Sequence, residues 1–540
     1  MTQLTGGEAI VQTLIAHGVD TLFGLPGVQN DYFFIPLHDA QDKIRVIHPR
    51  HEQGAAYMAM GYALSSEKEG VYSVVPGPGV LNTMGALSTA WATNAKLFCL
   101  TGQIATKSIG RGFGELHEIP DQLGMLRAIT KWAERVRMSA EAPYLVSEAF
   151  RQLNSGRPRP VAIEVPPDVL SQKTEVRLEN GRLPIHHPPV DYDAVNEAAK
   201  LMGAAKNPMI LVGGGAHNAG AEVQELAEML QAPVIANRMG KGVVSSHHPL
   251  SHNIMVGYHY YGKADLVIGI GSRMSTVLHR WGVSDDVKVI QIDVDPEEHG
   301  RFTKTAVSLM ARAEDVLPVL NDSLAKYNQK RPSRAEELAE IQAKAVADFS
   351  YLEPQISFMH AIRDVLPEDG IHVDEMTQVS YVSRMYWPAY QPRTYISTGY
   401  QGTLGYGFLT ALGVKVANPD KPVVSLNGDG GFMFGVQELA TAVQHNINLV
   451  SIVFNDNAYG NVRRMQRKLY DNRIIASDLH NPDFVKLAES FGALGLRAHT
   501  ADDLRRALEQ GFAANVPTLI EVPVGELPDP SRFWALPRVR

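Results

Sequence analysis

The chain has 540 residues, 45% hydrophobic and 20% charged, with a formal net charge of −8. At about 150 residues per domain this predicts three or four domains with material for several buried cores. The acidic balance argues against broad binding to nucleic acid or anionic membrane, and no apolar stretch approaches the ~18 residues of a membrane span. The start, Met1-Thr2-Gln3-Leu4-Thr5-Gly6-Gly7-Glu8, lacks a basic segment followed by an apolar one, so secretion is disfavoured. A single cysteine, Cys99, excludes an intrachain disulfide and a thiolate-built zinc site. The expectation is a cytoplasmic α/β protein that handles a small molecule.

Short apolar runs alternate with helical patterns throughout, which predicts mostly parallel sheets flanked by helices. In the first third the strands are 21–23, 44–47, 71–75, 97–100 and 161–165, with small-residue helices at 52–64 and 82–91. Residues 171–191 turn polar and end in His186-His187-Pro188-Pro189, which reads as a linker. A second unit, 192–325, places the strand 209–212 before Gly213-Gly214-Gly215, a helix at 219–230, and further strands at 265–271 and 289–293. Residues 326–354 are charged and punctuated by Pro332 and Pro354, a second linker. The last unit, 355–540, carries strands at 371–373, 423–426, 449–454 and 518–522. The first and last thirds share a texture that would fit duplicated architecture.

Two glycine clusters are weak nucleotide signals. Asn218 stands where the third glycine of a dinucleotide fingerprint belongs, and Gly269-x-Gly271 is equally incomplete, so plain strand-to-helix turns are the expectation. The strong signal lies between 421 and 460. One strand runs into Asn427-Gly428-Asp429-Gly430-Gly431, a helix is expected over 436–445, and the next strand runs into Asn455-Asp456-Asn457-Ala458-Tyr459-Gly460. Both polar clusters then follow the carboxyl ends of parallel strands, where α/β sheets bind ligands. Glycines let backbone N–H groups approach a phosphate, while Asp429, Asp456 and the Ala458 carbonyl can ligate a magnesium ion that also touches two phosphates. The alternative is that Asp429 and Asn455 are ordinary turn residues.

This pair of clusters resembles the signature of the thiamine diphosphate-dependent enzymes, Gly-Asp-Gly followed by Asn-Asn, with Asp456 at the second Asn as in catabolic acetolactate synthases. Arg50-His51-Glu52-Gln53-Gly54-Ala55-Ala56, Phe23-Gly24-Leu25-Pro26-Gly27, Pro76-Gly77-Pro78-Gly79, Thr101-Gly102-Gln103 and Asn481-Pro482-Asp483-Phe484-Val485 are similar to the same family, and the resemblance covers nearly the whole chain. It implies a pyrimidine-binding domain (1–170), a central Rossmann-like domain (192–325) and a diphosphate- and magnesium-binding domain (355–540). It implies that Glu52, on a helix of small apolar residues expected to bury it, is the catalytic glutamate that drives cofactor tautomerisation. It also makes Leu404, in Gly402-Thr403-Leu404-Gly405-Tyr406-Gly407, the wedge beneath the bent cofactor. Gln378, Gly428, Gly430, Gly431 and Tyr459 complete the expected cofactor contacts.

Within the family the nearest whole-chain resemblance is to acetolactate synthase, in a group that includes benzoylformate decarboxylase and benzaldehyde lyase. Val28 stands where pyruvate decarboxylases carry an acid, Val75 where benzoylformate decarboxylase has a histidine, and Gln29 where benzaldehyde lyase has one. Glu118 occupies the active-site glutamine position of acetolactate synthase, and Met465 replaces a tryptophan that shapes acceptor preference. Together with Asn82, these residues bound the expected substrate pocket, and His117-Glu118 reads equally as a proton-handling dyad or a surface pair. The resemblance implies decarboxylation or C–C cleavage with carboligation of a 2-oxo acid, an aldehyde or an acyl-CoA derivative. Rivals are a simple 2-oxo acid decarboxylase, a 2-hydroxyacyl-CoA lyase and a binding module that has lost catalysis. It further implies a homodimer or homotetramer with shared active sites. Flavin adenine dinucleotide is not expected, because only Tyr258 to Ala264 separate His252-Asn253-Ile254-Met255-Val256-Gly257 from the strand at 265, shorter than in flavin-containing relatives.

Overall fold

The computed structural model describes residues 2–178, 182–533 and 535–540. In the first third, β1 (Thr2–Thr5) precedes β2 (Thr21–Gly24), β3 (Arg45–Ile47), β4 (Gly70–Val74), β5 (Leu97–Gly102), β6 (Trp132–Arg135), β7 (Val161–Val165) and β8 (Lys173–Val176). The middle third carries β9 (Pro208–Val212), β10 (Val234–Ala236), β11 (Ser251–Asn253), β12 (Leu266–Ile270), β13 (Lys288–Ile292) and β14 (Val307–Leu309). The last third carries β15 (Ile371–Val373), β16 (Tyr395–Ile396), β17 (Val423–Gly428), β18 (Val450–Asn455), β19 (Leu494–Arg497) and β20 (Thr518–Pro523). β4, β5, β7, β9 and β12 are buried along their whole length, as expected of near-continuous Val/Ile/Leu runs covered on both faces by helices.

Three six-stranded sheets result, ordered β3-β2-β4-β5-β7-β6, β11-β10-β9-β12-β13-β14 and β16-β15-β17-β18-β20-β19, each parallel throughout. Counted within each unit, the first and third sheets share one strand order, second-first-third-fourth-sixth-fifth. That repeat is what the similar textures of the two thirds reflect. The central sheet has the doubly wound order 3-2-1-4-5-6 of Rossmann folds. In the first and third sheets the order reverses between the first and third strands, opening a crevice at the carboxyl ends of β2 and β4, and of β15 and β17.

Some expected segments fold differently. Residues 173–176, inside the anticipated linker 171–191, form β8, which pairs antiparallel with β1 and ties the chain start to the first domain; residues 179–181 of that stretch lie outside the described residues. The second anticipated linker, 326–354, contains the helix Ala335–Ala347, which buries Leu338 and Ala345. The helix expected over 436–445 is broken into a 3-10 turn, Val436–Glu438, and a short helix, Leu439–Gln444.

The first and third units share a core. The helix Glu52–Ser65 crosses the helix Tyr406–Ala417, and residues such as Ala55, Met58, Leu409 and Leu412 pack into one cluster. Glycine permits the crossing: a Cβ on Gly61 would lie 2.0 Å from the Thr410 carbonyl oxygen, and one on Gly413 1.8 Å from that of Met58. Among the described residues no helix is long and apolar enough to cross a membrane.

Candidate active site

The first crevice gathers side chains from three loops. His51 accepts the Gln53 N–H through Nδ1 as N-cap of the helix that opens with Glu52. Glu52 is half-buried, more open than its apolar neighbours suggest, because the burial of that helix begins at Gly54. Its Oε2 accepts a hydrogen bond from Asn82 Nδ2 at 2.9 Å, and its Oε1 faces Gly79, 3.7 Å from where a Cβ there would stand. Gly77, at φ +58°, lies on the His117 backbone, 2.3 Å from that carbonyl oxygen at the position of a Cβ, and its N–H donates to Gln122 Oε1. His117 Nδ1 donates to Gln29 Oε1 at 3.0 Å, and Gln29 Nε2 donates to the Leu116 carbonyl. The loops after β2 and β4 and the segment 110–118 therefore meet at one place.

The sequence reads His117-Glu118 equally as a proton-handling dyad or a surface pair, and the two side chains turn to different partners. His117 partners Gln29, while the Glu118 carboxylate accepts the backbone amides of Gly112, Gly114 and Glu115 at 3.0, 2.7 and 3.0 Å and so folds its own loop. Val28 is 68% exposed and Met465 42% exposed, both on open faces of the chain.

The second crevice, between β15 and β17, continues over the carboxyl end of β18, which runs beside β17 with Gly428 opposite Phe454. Asp429 is 2% exposed and begins the short helix Asp429–Phe432. Burial pushes its carboxyl above the usual range, against the backbone amides of Gly430, Ala458 and Asn457 and the side chain of Asn481. Asp456 is pushed up to about 7, by burial first and by the Asp429 carboxylate second. The buried Asp429 and the half-buried Asp456, whose carboxylates repel one another, form with the buried Ala458 beside them a donor set suited to a hard divalent cation. Among the described residues no group of three or more His, Cys, Asp or Glu forms a metal cage. Gly430 lets the Tyr459 ring approach, 2.5 Å from where its own Cβ would stand, and Gly431 does the same for Glu375 Oε1 at 2.0 Å.

Four residues that the sequence reading did not place complete this half. Asn481 Nδ2 donates to Asp429 Oδ2 at 2.6 Å, to Asn455 Oδ1 at 2.9 Å and to Asn457 Oδ1 at 3.3 Å, so one amide clamps both clusters. Arg464, buried, donates to Gln378 Oε1 at 3.1 Å and to the Leu527 carbonyl at 2.8 Å, which fixes Gln378 at the start of its helix. Glu375 Oε1 accepts the Gly405 N–H at 2.6 Å beneath the loop that carries the half-buried Leu404, and Thr403 Oγ1 of that loop meets Thr89 Oγ1 at 2.9 Å. Glu438, buried in the last third, accepts the backbone amides of Arg50 and His51 at 2.9 and 3.0 Å and so holds the segment leading into Glu52. Only Asn481 had a signal, its place in the Asn-Pro-Asp-Phe-Val motif; the others act across tens to hundreds of residues.

Comparison with known proteins agrees with this geometry. The three descriptions of the thiamine pyrophosphate enzymes match in chain order: the N-terminal TPP binding domain at residues 4–125, the central domain at 195–320 and the C-terminal TPP binding domain at 375–522. A probable 2-ketoarginine decarboxylase of Pseudomonas aeruginosa is 34% identical over 96% of this chain and 94% of its own. A probable acetolactate synthase large subunit of Methanocaldococcus jannaschii is 33% identical over 99% of this chain and 93% of its own. The large subunit of acetolactate synthase isozyme 1 of Escherichia coli is 30% identical over 96% and 94%. With both crevices in place and all three domains matched, the chain belongs to the thiamine pyrophosphate enzymes and is an acetolactate synthase-like member that works on carbon–carbon bonds.

Proposed function

We propose that the protein acts on a 2-oxo acid or related carbonyl substrate, by decarboxylation or C–C cleavage followed by carboligation. The carrying observation is Glu52: Asn82 holds one carboxylate oxygen and leaves the other facing the glycine loop after β4. Thiamine diphosphate, when bound, supplies the carbanion chemistry. Glu52 Oε1 then shares a proton with the pyrimidine ring, while Asn82 keeps the carboxylate in one rotamer. Asp429, Asp456 and the Ala458 carbonyl hold Mg2+, and Gly428, Gly430, Gly431, Tyr459 and Gln378 line the diphosphate site. Leu404 would support the cofactor from the loop that rests on Glu375. Val28, Gln29, His117, Glu118 and Met465 bound the substrate side. Incubating the Mg2+- and thiamine diphosphate-loaded protein with a panel of 2-oxo acids, with and without an acceptor, should release carbon dioxide and form ligated product. Neither product from any of them would sink this reading.

A second reading, simple decarboxylation, draws on His117, whose ring is anchored to Gln29 beside the Glu52 loops. The relative described as a probable 2-ketoarginine decarboxylase points the same way. Carbon dioxide with only the protonated aldehyde, even in excess acceptor, would select it.

The working unit in this proposal is a homodimer or homotetramer in which Glu52 of one subunit meets Asp429 of another. Supporting it, Val28, Phe113 and Leu116 near one crevice and Val462, Met465 and Leu469 near the other are exposed large apolar side chains. Mixing Glu52→Gln and Asp429→Ala subunits under exchange should regenerate activity, and no recovery would refute a shared site. Activity without flavin is part of the same proposal. The glycine turn after β9 packs backbone to backbone on Gly271 after β12, with the Gly215 N–H 3.2 Å from the Gly271 oxygen, which narrows the crevice a dinucleotide would use. A cytoplasmic setting completes the reading.

A further inference from the structure

Glu375 lies at the mouth of the third sheet, two residues beyond the end of β15 and fully buried. One carboxylate oxygen, Oε1, accepts the Gly405 N–H. The other, Oε2, has no hydrogen-bond partner. Neither has Oδ1 of Asn427, near the end of β17 and equally buried. The Asn427 amide cannot turn to meet it, because its Nδ2 is committed to Ser425 Oγ and the Ile452 carbonyl, both at 3.0 Å. The two orphaned oxygens converge on Gly407: they lie 2.9 and 2.5 Å from the point where a Cβ there would stand. Two buried, unpartnered acceptors beside the same point are costly, and one proton between them satisfies both.

We propose that Glu375 is a positioning residue that stands as a neutral carboxylic acid, donating its Oε2–H to Asn427 Oδ1. It thereby ties the strand end that precedes Asp429 to the 402–407 loop that carries Leu404. The surroundings favour the neutral form. Burial, and then the Asp374 carboxylate beside it, push the Glu375 carboxyl up to about 8, against the Gly405 and Gly407 amides and the Arg384 guanidinium. Arg384 pairs with Asp374 at 2.6 Å and donates to the Glu375 carbonyl oxygen at 3.2 Å, so the charges of that pair largely offset one another at the Glu375 carboxyl and burial dominates. The remaining titratable groups sensed here, Tyr57 from the first unit and Tyr381 from the helix after β15, are both held above the ordinary tyrosine range. Glu375 thus sets the spacing between the diphosphate loop and the loop of the wedge candidate without touching either ligand.

The proposal rests on the cofactor reading above only for its consequence, so its test has two arms. Infrared difference spectra of the full cofactor-free chain against Glu375→Gln should show a protonated carboxyl C=O band in the native protein at neutral pH that the variant lacks. Absence of that band overturns the proposal. In the second arm, thiamine diphosphate is titrated with Mg2+ across neutral and alkaline pH. Glu375→Gln, whose Nε2 donates to Asn427 as the acid does, should bind within about twofold of the native protein at neutral pH and then follow only the ionisation of Asp456 as pH rises. The native protein should weaken relative to Glu375→Gln on the alkaline side, and Glu375→Ala should bind roughly tenfold more weakly than Glu375→Gln throughout. A Gln variant as weak as the Ala variant overturns the proposal. A native chain that binds no thiamine diphosphate would defeat the cofactor reading while leaving the infrared result standing.

Discussion

The first and third sheets share a strand order, yet they use the same crevice in opposite ways. In the first, Glu52 and Asn82 meet at a surface, one half-buried and the other exposed. In the third, Asp429, Asn427 and Glu375 are buried and wired into neighbouring strand ends. A group that must exchange a proton with a ligand has to be reachable, whereas groups that grip a charged ligand gain from a fixed, low-dielectric setting. In the function proposed above, one strand order therefore serves a reactive half and a holding half.

The sharpest way to break that division is Glu52→Gln. The amide fills the same volume but cannot share a proton, so turnover should fall at least a hundredfold while cofactor affinity stays near native. Steady-state rates paired with thiamine diphosphate titrations check it, and native-like turnover would remove Glu52 from the chemistry.

On the holding side, Asp429→Ala and Asp456→Ala should each weaken Mg2+-dependent cofactor binding by tenfold or more, since each removes an oxygen ligand. Asp456→Asn should stay close to native, because it keeps an oxygen and removes the charge that Asp429 opposes. Calorimetric titration distinguishes the three; a tight-binding Asp456→Ala would break the assignment.

The seam between the halves is Glu438. Glu438→Ala strands the Arg50 and His51 amides, which should cost about 1–3 kcal/mol and loosen the approach to Glu52. A lower denaturation midpoint together with reduced turnover, at unchanged cofactor affinity, is the expected pattern.

The smallest effect at neutral pH belongs to His372 in β15, packed flat against Tyr395 with ring centroids 5.0 Å apart. Burial lowers its pKa from 6.5 to about 3, so the folded chain keeps it neutral while the unfolded chain protonates it. Its stabilising contribution is therefore whole above pH 6.5 and is lost as pH falls towards 3. His372→Phe should flatten the acid limb of the melting-temperature profile and leave it unchanged near pH 7.5.

The sequence made the local half of this picture legible. Gly428-Asp429-Gly430 and Asn455-Asp456-Asn457 are contiguous, lie just after apolar strands, and carry their chemistry in residue type and spacing. The start of the helix at Glu52 was legible through its heptapeptide, although the exposure of Glu52 was not, because burial of a helix's first turn depends on what approaches it. Glu375, Glu438 and Arg464 were silent for another reason. A lone Glu or Arg in a mixed segment means nothing until folding brings Gly405, the Arg50 amide or Gln378 to it. Glu118 misled because its neighbour in sequence, His117, turns to Gln29 while Glu118 binds back to its own glycine loop. The linkers misled because polarity marks solvent exposure, and both β8 and the helix Ala335–Ala347 are surface elements with narrow buried faces.

The crossing of the helices Glu52–Ser65 and Tyr406–Ala417 at Gly61 and Gly413 bears on how such a protein can be recombined. Backbone lies on backbone there, so neither helix tolerates a partner whose surface is even one methyl group larger. A chimera that takes its first third from one relative and its last third from another inherits two helix surfaces never fitted together. Exchange should succeed only when these two thirds travel as a matched pair, which makes them a single unit of inheritance despite the more than three hundred residues between them.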